Sequence, residues 1–232
     1  MEQPPASSTS QSVESGAFLA SALSARNEGR LGLVTIMAGW DQARGGRIFD
    51  TTAEAELLGP VSLIAGAVYD GPGTSTSPHF DLRLDVTRQA THGLDMAVSV
   101  GYAGAGFSTV PSAVLKVAMG RSVGASYVLA NVAYEQGLEE GERSGELRLA
   151  ALRPVSSAAV IGVDSRLQID LERDASEPVG ETEWEWRSSL VASYTWNRIV
   201  FTGGGGLSAL RFRAGGPMEV GPVVTAGFGT LF

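Results

Sequence analysis

A chain of 232 residues with a net charge of −8, one Lys and no Cys has the length of one large domain or one barrel and excludes disulfide and thiol chemistry. Its acidity argues against a nucleic-acid partner, which would want a basic face. Although 44% of the residues are apolar, no uninterrupted apolar stretch approaches about 18 residues, so no transmembrane helix is expected.

The first fifteen residues, MEQPPASSTSQSVES, are polar, rich in Ser and Pro, and read as a disordered leader. They lack the basic and apolar regions of a secretory signal. Residues 16–26, GAFLASALSAR, put Phe18, Leu19, Ala22, Leu23 and Arg26 at helical spacing, which predicts a short amphipathic helix. Asn27-Glu28-Gly29 then punctuates the chain. Residues 1–30 are thus set apart from a second region, 31–232.

Twelve strand-like runs follow, at roughly 31–40, 47–57, 61–70, 79–89, 94–106, 113–122, 125–137, 145–155, 158–171, 183–196, 198–213 and 221–232. Several alternate cleanly. In the fourth, Phe80, Leu82, Leu84 and Val86 alternate with Asp81, Arg83, Asp85 and Thr87. The first, from Leu31 to Trp40, is apolar on both faces. Tight turns are expected near Leu58-Gly59-Pro60, Thr91-His92-Gly93, Val123-Gly124, Ser156-Ser157 and Asn197. Longer links fall at 71–78, 107–112, 138–144, 172–182 and 214–220, and the two kinds alternate. Short turns on one rim and longer loops on the other suit an up-and-down barrel. Ten or fourteen strands are the alternative counts.

The last run, GPVVTAGFGTLF, puts Phe228 and Phe232 on one face and mostly small residues on the other. A terminal Phe preceded by apolar residues at alternate positions resembles the end of bacterial outer-membrane β-barrels. The resemblance implies an all-β, antiparallel transmembrane barrel in a Gram-negative outer membrane. Its surroundings would be the lipid bilayer and lipopolysaccharide. Phe228 and Phe232 would belong to the signal read by the barrel-assembly machinery. Such a barrel needs export, so the expectation is a mature form or a start that lies upstream.

Three features point the apolar faces outward, toward lipid. The polar faces mix charge with small residues such as Gly66, Gly101, Ala103, Ala118 and Gly120, which suit a crowded lumen. The tenth run carries Trp184 and Trp186 near one end of a face, and Tyr194 and Trp196 near the other. At the usual strand rise and tilt, the outer pair stand about 30 Å apart along the axis and the inner pair about 20 Å, bracketing the expected apolar band of about 25 Å. The runs also exceed the common strand length of about 5 or 6 residues.

The lumen then receives Asp81, Arg83, Asp85, Asp95, Lys116, Arg148, Asp164, Arg166, Asp170, Glu185 and Arg187, together with Asp50, Glu54, Glu56, Asn131, Glu135 and Gln168. Two roles are open for them: a salt-bridge network that fills the lumen, or the lining of a conduit whose charges select the solute. Glu185 and Arg187 are placed to reach Asp164, Arg166 and Asp170 across the hairpin. Loops around Glu139, Glu140, Glu142, Glu172, Asp174, Glu177 and Glu181 form an acidic rim. His79, near Ser77, is the one candidate for lipid-hydrolysing chemistry, which needs a lipid-facing His with an orienting partner. Two His and no Cys make a transition-metal site unexpected, and no cofactor is implied. Gly203–Gly206 lacks the Lys-Ser or Lys-Thr of a phosphate loop and suits a bend or close backbone approach. Autotransporter barrels also have twelve strands and a preceding helix, but only about fifteen residues precede the expected helix here. The expectation is therefore a small non-enzymatic, porin-like channel for polar or charged solutes. A structural barrel of an envelope complex is the alternative.

Overall fold

The structure, a computed structural model, describes residues 33–69, 77–104, 111–138, 143–171, 182–212 and 218–231. The alternating runs form β1 (Leu33–Asp41), β2 (Gly46–Leu58), β3 (Val61–Tyr69), β4 (Ser77–Thr87), β5 (Asp95–Ala103), β6 (Ser112–Val123), β7 (Ser126–Gly137), β8 (Arg143–Pro154), β9 (Ala159–Asp170), β10 (Thr182–Trp196), β11 (Ile199–Phe212) and β12 (Met218–Leu231). Each strand pairs with its sequence neighbours, and β12 returns to β1, closing an antiparallel barrel. The seam runs from Leu33↔Leu231 to Asp41↔Val223. The expected leader, the helix over 16–26, Phe232 and the acidic residues at 139–142 and 172–181 lie outside the described residues.

Period two separates the faces. Along β4, Phe80, Leu82 and Leu84 face out, while Asp81 and Arg83 are buried inside. Leu82, Val100 and Leu190 are 53%, 62% and 71% exposed on the outer surface. A belt of such residues around a barrel far exceeds the apolar patch an ordinary soluble monomer shows. Aromatic residues edge it. Phe49 pairs with Tyr69 and Phe80 with Tyr102 toward one rim; Tyr194, Phe201 and Phe228 stand in register on three adjacent strands toward the other. Trp184 and Trp186 share the outer face of β10 with Tyr194 and Trp196.

β1 is not apolar on both faces: its inward side carries the buried Thr35 and Asp41 as well as Met37, which lies against Gly227, where a Cβ would come within 2.8 Å of Met37 Cγ. Gly206 in β11 faces in so tightly that a Cβ would stand 1.9 Å from the Ser188 carbonyl. Of the four glycines, Gly204 and Gly206 are sites of close backbone approach, while at Gly203 and Gly205 a Cβ would meet nothing nearer than 3.6 Å.

Short turns lie on one rim, where Asn197 takes a positive φ of 56° in the β10–β11 turn. The expected tight turn at Thr91-His92-Gly93 is instead the end of a helical turn, α1 (Gln89–His92). Its ties to β5 and β6 explain the extra length: Gln89 N donates to Asp95 Oδ1 (2.6 Å), and Gln89 Oε1 accepts from Ser122 N (2.7 Å). On the opposite, loop rim, the β1–β2 link at 42–45 is also short, an exception to the alternation of turns and loops.

Inside, the half of the bore near the short turns is packed. Ile64, Ala118, Tyr127, Leu129, Ala150, Leu152 and Val160 form one buried cluster. Ile64 comes from β3 and Val160 from β9, six strands apart in a ring of twelve. The cluster therefore crosses the bore. Burying each Leu contributes about 1.5–3 kcal/mol.

Candidate functional site

The loop-rim half of the bore is built from charge. Strand register sets Arg148 opposite Arg166, and Arg166 opposite Arg187. Like charges directly opposite repel, so this row depends on acids in the adjoining rows. Glu146 answers two of the three: Arg148 Nε and Arg166 Nε each lie 2.7 Å from a different oxygen of its carboxylate. Arg166 Nη2 also donates to Gln168 Oε1 at 2.7 Å. Asp164 lies one inward position further down β9, beside the same arginines.

Arg187 is held by a second group of acids. Its Nη2 is 2.9 Å from Asp41 Oδ2 and 3.4 Å from Glu185 Oε1. Ser208 Oγ donates to Asp41, which is fully buried. Arg44, in the 42–45 link, reaches over β12 and β11 to an ion pair with Glu185 on β10. Gln42 N donates to the Pro222 carbonyl at 3.1 Å. Gly221 leaves room for this, since a Cβ there would stand 2.7 Å from Gln42 Cβ. The link thus folds inward and roofs the sector from β10 to β12.

The remaining sector is an open cup of about 300 Å³. Asp50, His79, Asp81, Lys116, Glu135, Glu146, Arg148 and Arg166 line it. Lys116 Nζ donates to Asp81 Oδ2 at 2.9 Å. Glycines clear space for the polar side chains along the wall. A Cβ at Gly101 would fall 1.9 Å from Asp81 Oδ1, and one at Gly66 would fall 2.5 Å from the His79 ring. Below the cup, Arg83 is 1% exposed and bridges Glu54 (3.1 Å) and Asp85 (3.0 Å). Asp95 accepts from Tyr127 Oη at 3.2 Å, also in the packed half.

The charged residues expected in the lumen all occupy inward positions of their strands, but not as one set. Asp81, Lys116, Arg148 and Arg166 meet in the cup; Glu185 and Arg187 lie beneath the inward link. Arg83, Asp85 and Asp95 belong to the packed half, and Asp170 stands at the loop-rim end of β9. The expected ion pairs between β9 and β10 are replaced by pairs from β9 to β8 and from β10 to β1, because Glu146 and Asp41 are nearer partners for Arg166 and Arg187. Glu146 was legible in principle, two residues from Arg148 on one face. Asp41 and Arg44 stand at a link, where no periodicity marks them. His79 faces the cup rather than lipid, and Ser77 Oγ donates instead to the Gly104 carbonyl at 2.6 Å. The lipid-facing arrangement that hydrolysis of lipid would need is absent at His79.

No family model matches the sequence, and no curated protein resembles it. Solved structures do share its shape. The KdgM porin superposes with a TM-score of 0.55 at 8% identity, covering 86% of this chain and 99% of that one. The NanC porin gives a TM-score of 0.60 at 8% identity, over 85% and 98% of the two chains. The fold is that of these porins. At this identity the likeness extends to the barrel and its strand plan.

Proposed function

We propose that this protein is a porin-like channel of a Gram-negative outer membrane, passing small polar or charged solutes without catalysis. One observation carries the reading: the barrel is inside-out, with large hydrophobics exposed around the outer belt and charged side chains within. Only a lipid surrounding makes that outer face favourable. The barrel folds of KdgM and NanC agree with it. In this reading the bilayer and lipopolysaccharide surround the belt, and the assembly machinery reads the last strand through Phe228 and Phe232. The cup is the route's wide polar end, and its charges tune selectivity.

A second reading, a structural barrel of the envelope, is favoured by the apolar cluster that crosses the bore. Reconstitution into planar bilayers separates the two. The channel reading expects steady unit conductance; electrically silent insertion of folded barrel would leave only the structural reading. Folding is checked by heat-modifiable migration on a denaturing gel, where a boiled barrel and an unboiled one should run differently.

A further inference from the structure

Once the cup's ion pairs are taken together, Asp50, Glu135 and the outer end of Arg148 have no oppositely charged partner among the described residues. Arg148 and Arg166 share Glu146 through Nε, and Arg166 has Gln168 as well. The terminal nitrogens of Arg148 have no partner among the described residues. Asp81 is matched by Lys116. Asp50 accepts a hydrogen bond from Thr52 Oγ1 at 3.1 Å but has no cationic partner among the described residues. Asp50 is on β2 and Arg148 on β8, six strands apart in a ring of twelve. Both line the same cavity, so a carboxylate faces a guanidinium fork from the opposite wall.

We propose that the cup selects small zwitterions with an ammonium at one end and a carboxylate at the other, as in ω-amino acids. This rests on the channel reading and names its solute class. An Arg fork suits a carboxylate, because two parallel N–H groups match its two oxygens. A simple anion docked there would face Asp50, and Glu135 nearer the loop rim, neither of which has an ion-pair partner among the described residues. A simple cation at Asp50 would meet the arginine wall in the same way. A zwitterion satisfies both walls at once, and confinement within low-dielectric walls strengthens the discrimination. A cavity of about 300 Å³ is at the small end of ligand sites, which fits one compact solute.

The test is titration calorimetry on the full chain in detergent, with 6-aminohexanoate, hexanoate and hexylamine as probes. The zwitterion should bind about tenfold more tightly than either singly charged probe, a difference of about 1.4 kcal/mol. Asp50→Asn should reduce it to the level of hexanoate, and Arg148→Gln to the level of hexylamine. Asp50→Asn is isosteric and Arg148→Gln keeps the aliphatic stem and a polar end, and heat-modifiable migration verifies that each variant is folded. The proposal is overturned if hexanoate or hexylamine binds as tightly as 6-aminohexanoate, if none of the three binds, or if folded variants keep the wild-type ratio. Failure of the channel reading looks different. A barrel that binds the zwitterion but is electrically silent keeps the cup and loses the channel, whereas steady conductance with no zwitterion preference does the reverse.

Discussion

The two halves of the bore are made by the same twelve strands and have opposite interiors. Toward the short turns, inward positions carry Ile64, Leu129, Leu152 and Val160, and Arg83 is sealed between Glu54 and Asp85. Toward the loops, inward positions carry Arg148, Arg166, Lys116 and Asp50 around an open cavity. The difference lies in which side chains the period delivers at each height, since the backbone plan is shared. It teaches that an inward charge in this barrel has two distinct roles. Arg83 is a structural member in a dry setting, and Arg148 is a partly exposed group whose terminal nitrogens have no partner among the described residues.

Three substitutions probe the difference between the two halves. Arg83→Ala should show the largest effect. It removes the buried cation that bridges two acids in the packed half, and breaking a buried pair typically costs about 3–5 kcal/mol; the midpoint of urea unfolding in detergent should fall accordingly. Next comes Leu129→Ala, expected to cost about 2–5 kcal/mol for a buried leucine. The same variant thins the cluster that crosses the bore, so its unit conductance in planar bilayers should exceed that of the parent. Unchanged conductance in a folded variant would show that the cluster does not limit passage. Arg148→Ala should be the mildest, at or below about 2 kcal/mol, because its side chain is less buried than that of Arg83 and Glu146 keeps Arg166 as a partner. If Arg148→Ala costs as much as Arg83→Ala in the same unfolding assay, the two halves are not distinct in the way described.

Much of the barrel was legible because a strand writes its two faces into alternate residues. The inward phase of Asp81, Arg83 and Asp85, and the outward phase of Trp184, Trp186, Tyr194 and Trp196, follow from period two alone. The partners of the charges were not legible. Arg187 finds Asp41 across the closing seam, and Arg44 finds Glu185 from a four-residue link, both at separations of more than 140 residues. α1 was hidden too, because a single helical turn has no periodicity and depends on Asp95 and Ser122 for its hydrogen bonds.

By itself, then, the sequence determined a barrel of alternating strands, its greasy outer belt and the set of charges turned inward, since these depend only on local pattern. Closure, register and the inward fold of the 42–45 link decided which charges meet, which are sealed and which face open space. Those outcomes depend on distances between strands remote in sequence. The cup exists because the structure pairs Asp81, Arg166 and Arg187 with near neighbours while leaving Asp50 and the end of Arg148 facing each other across the bore.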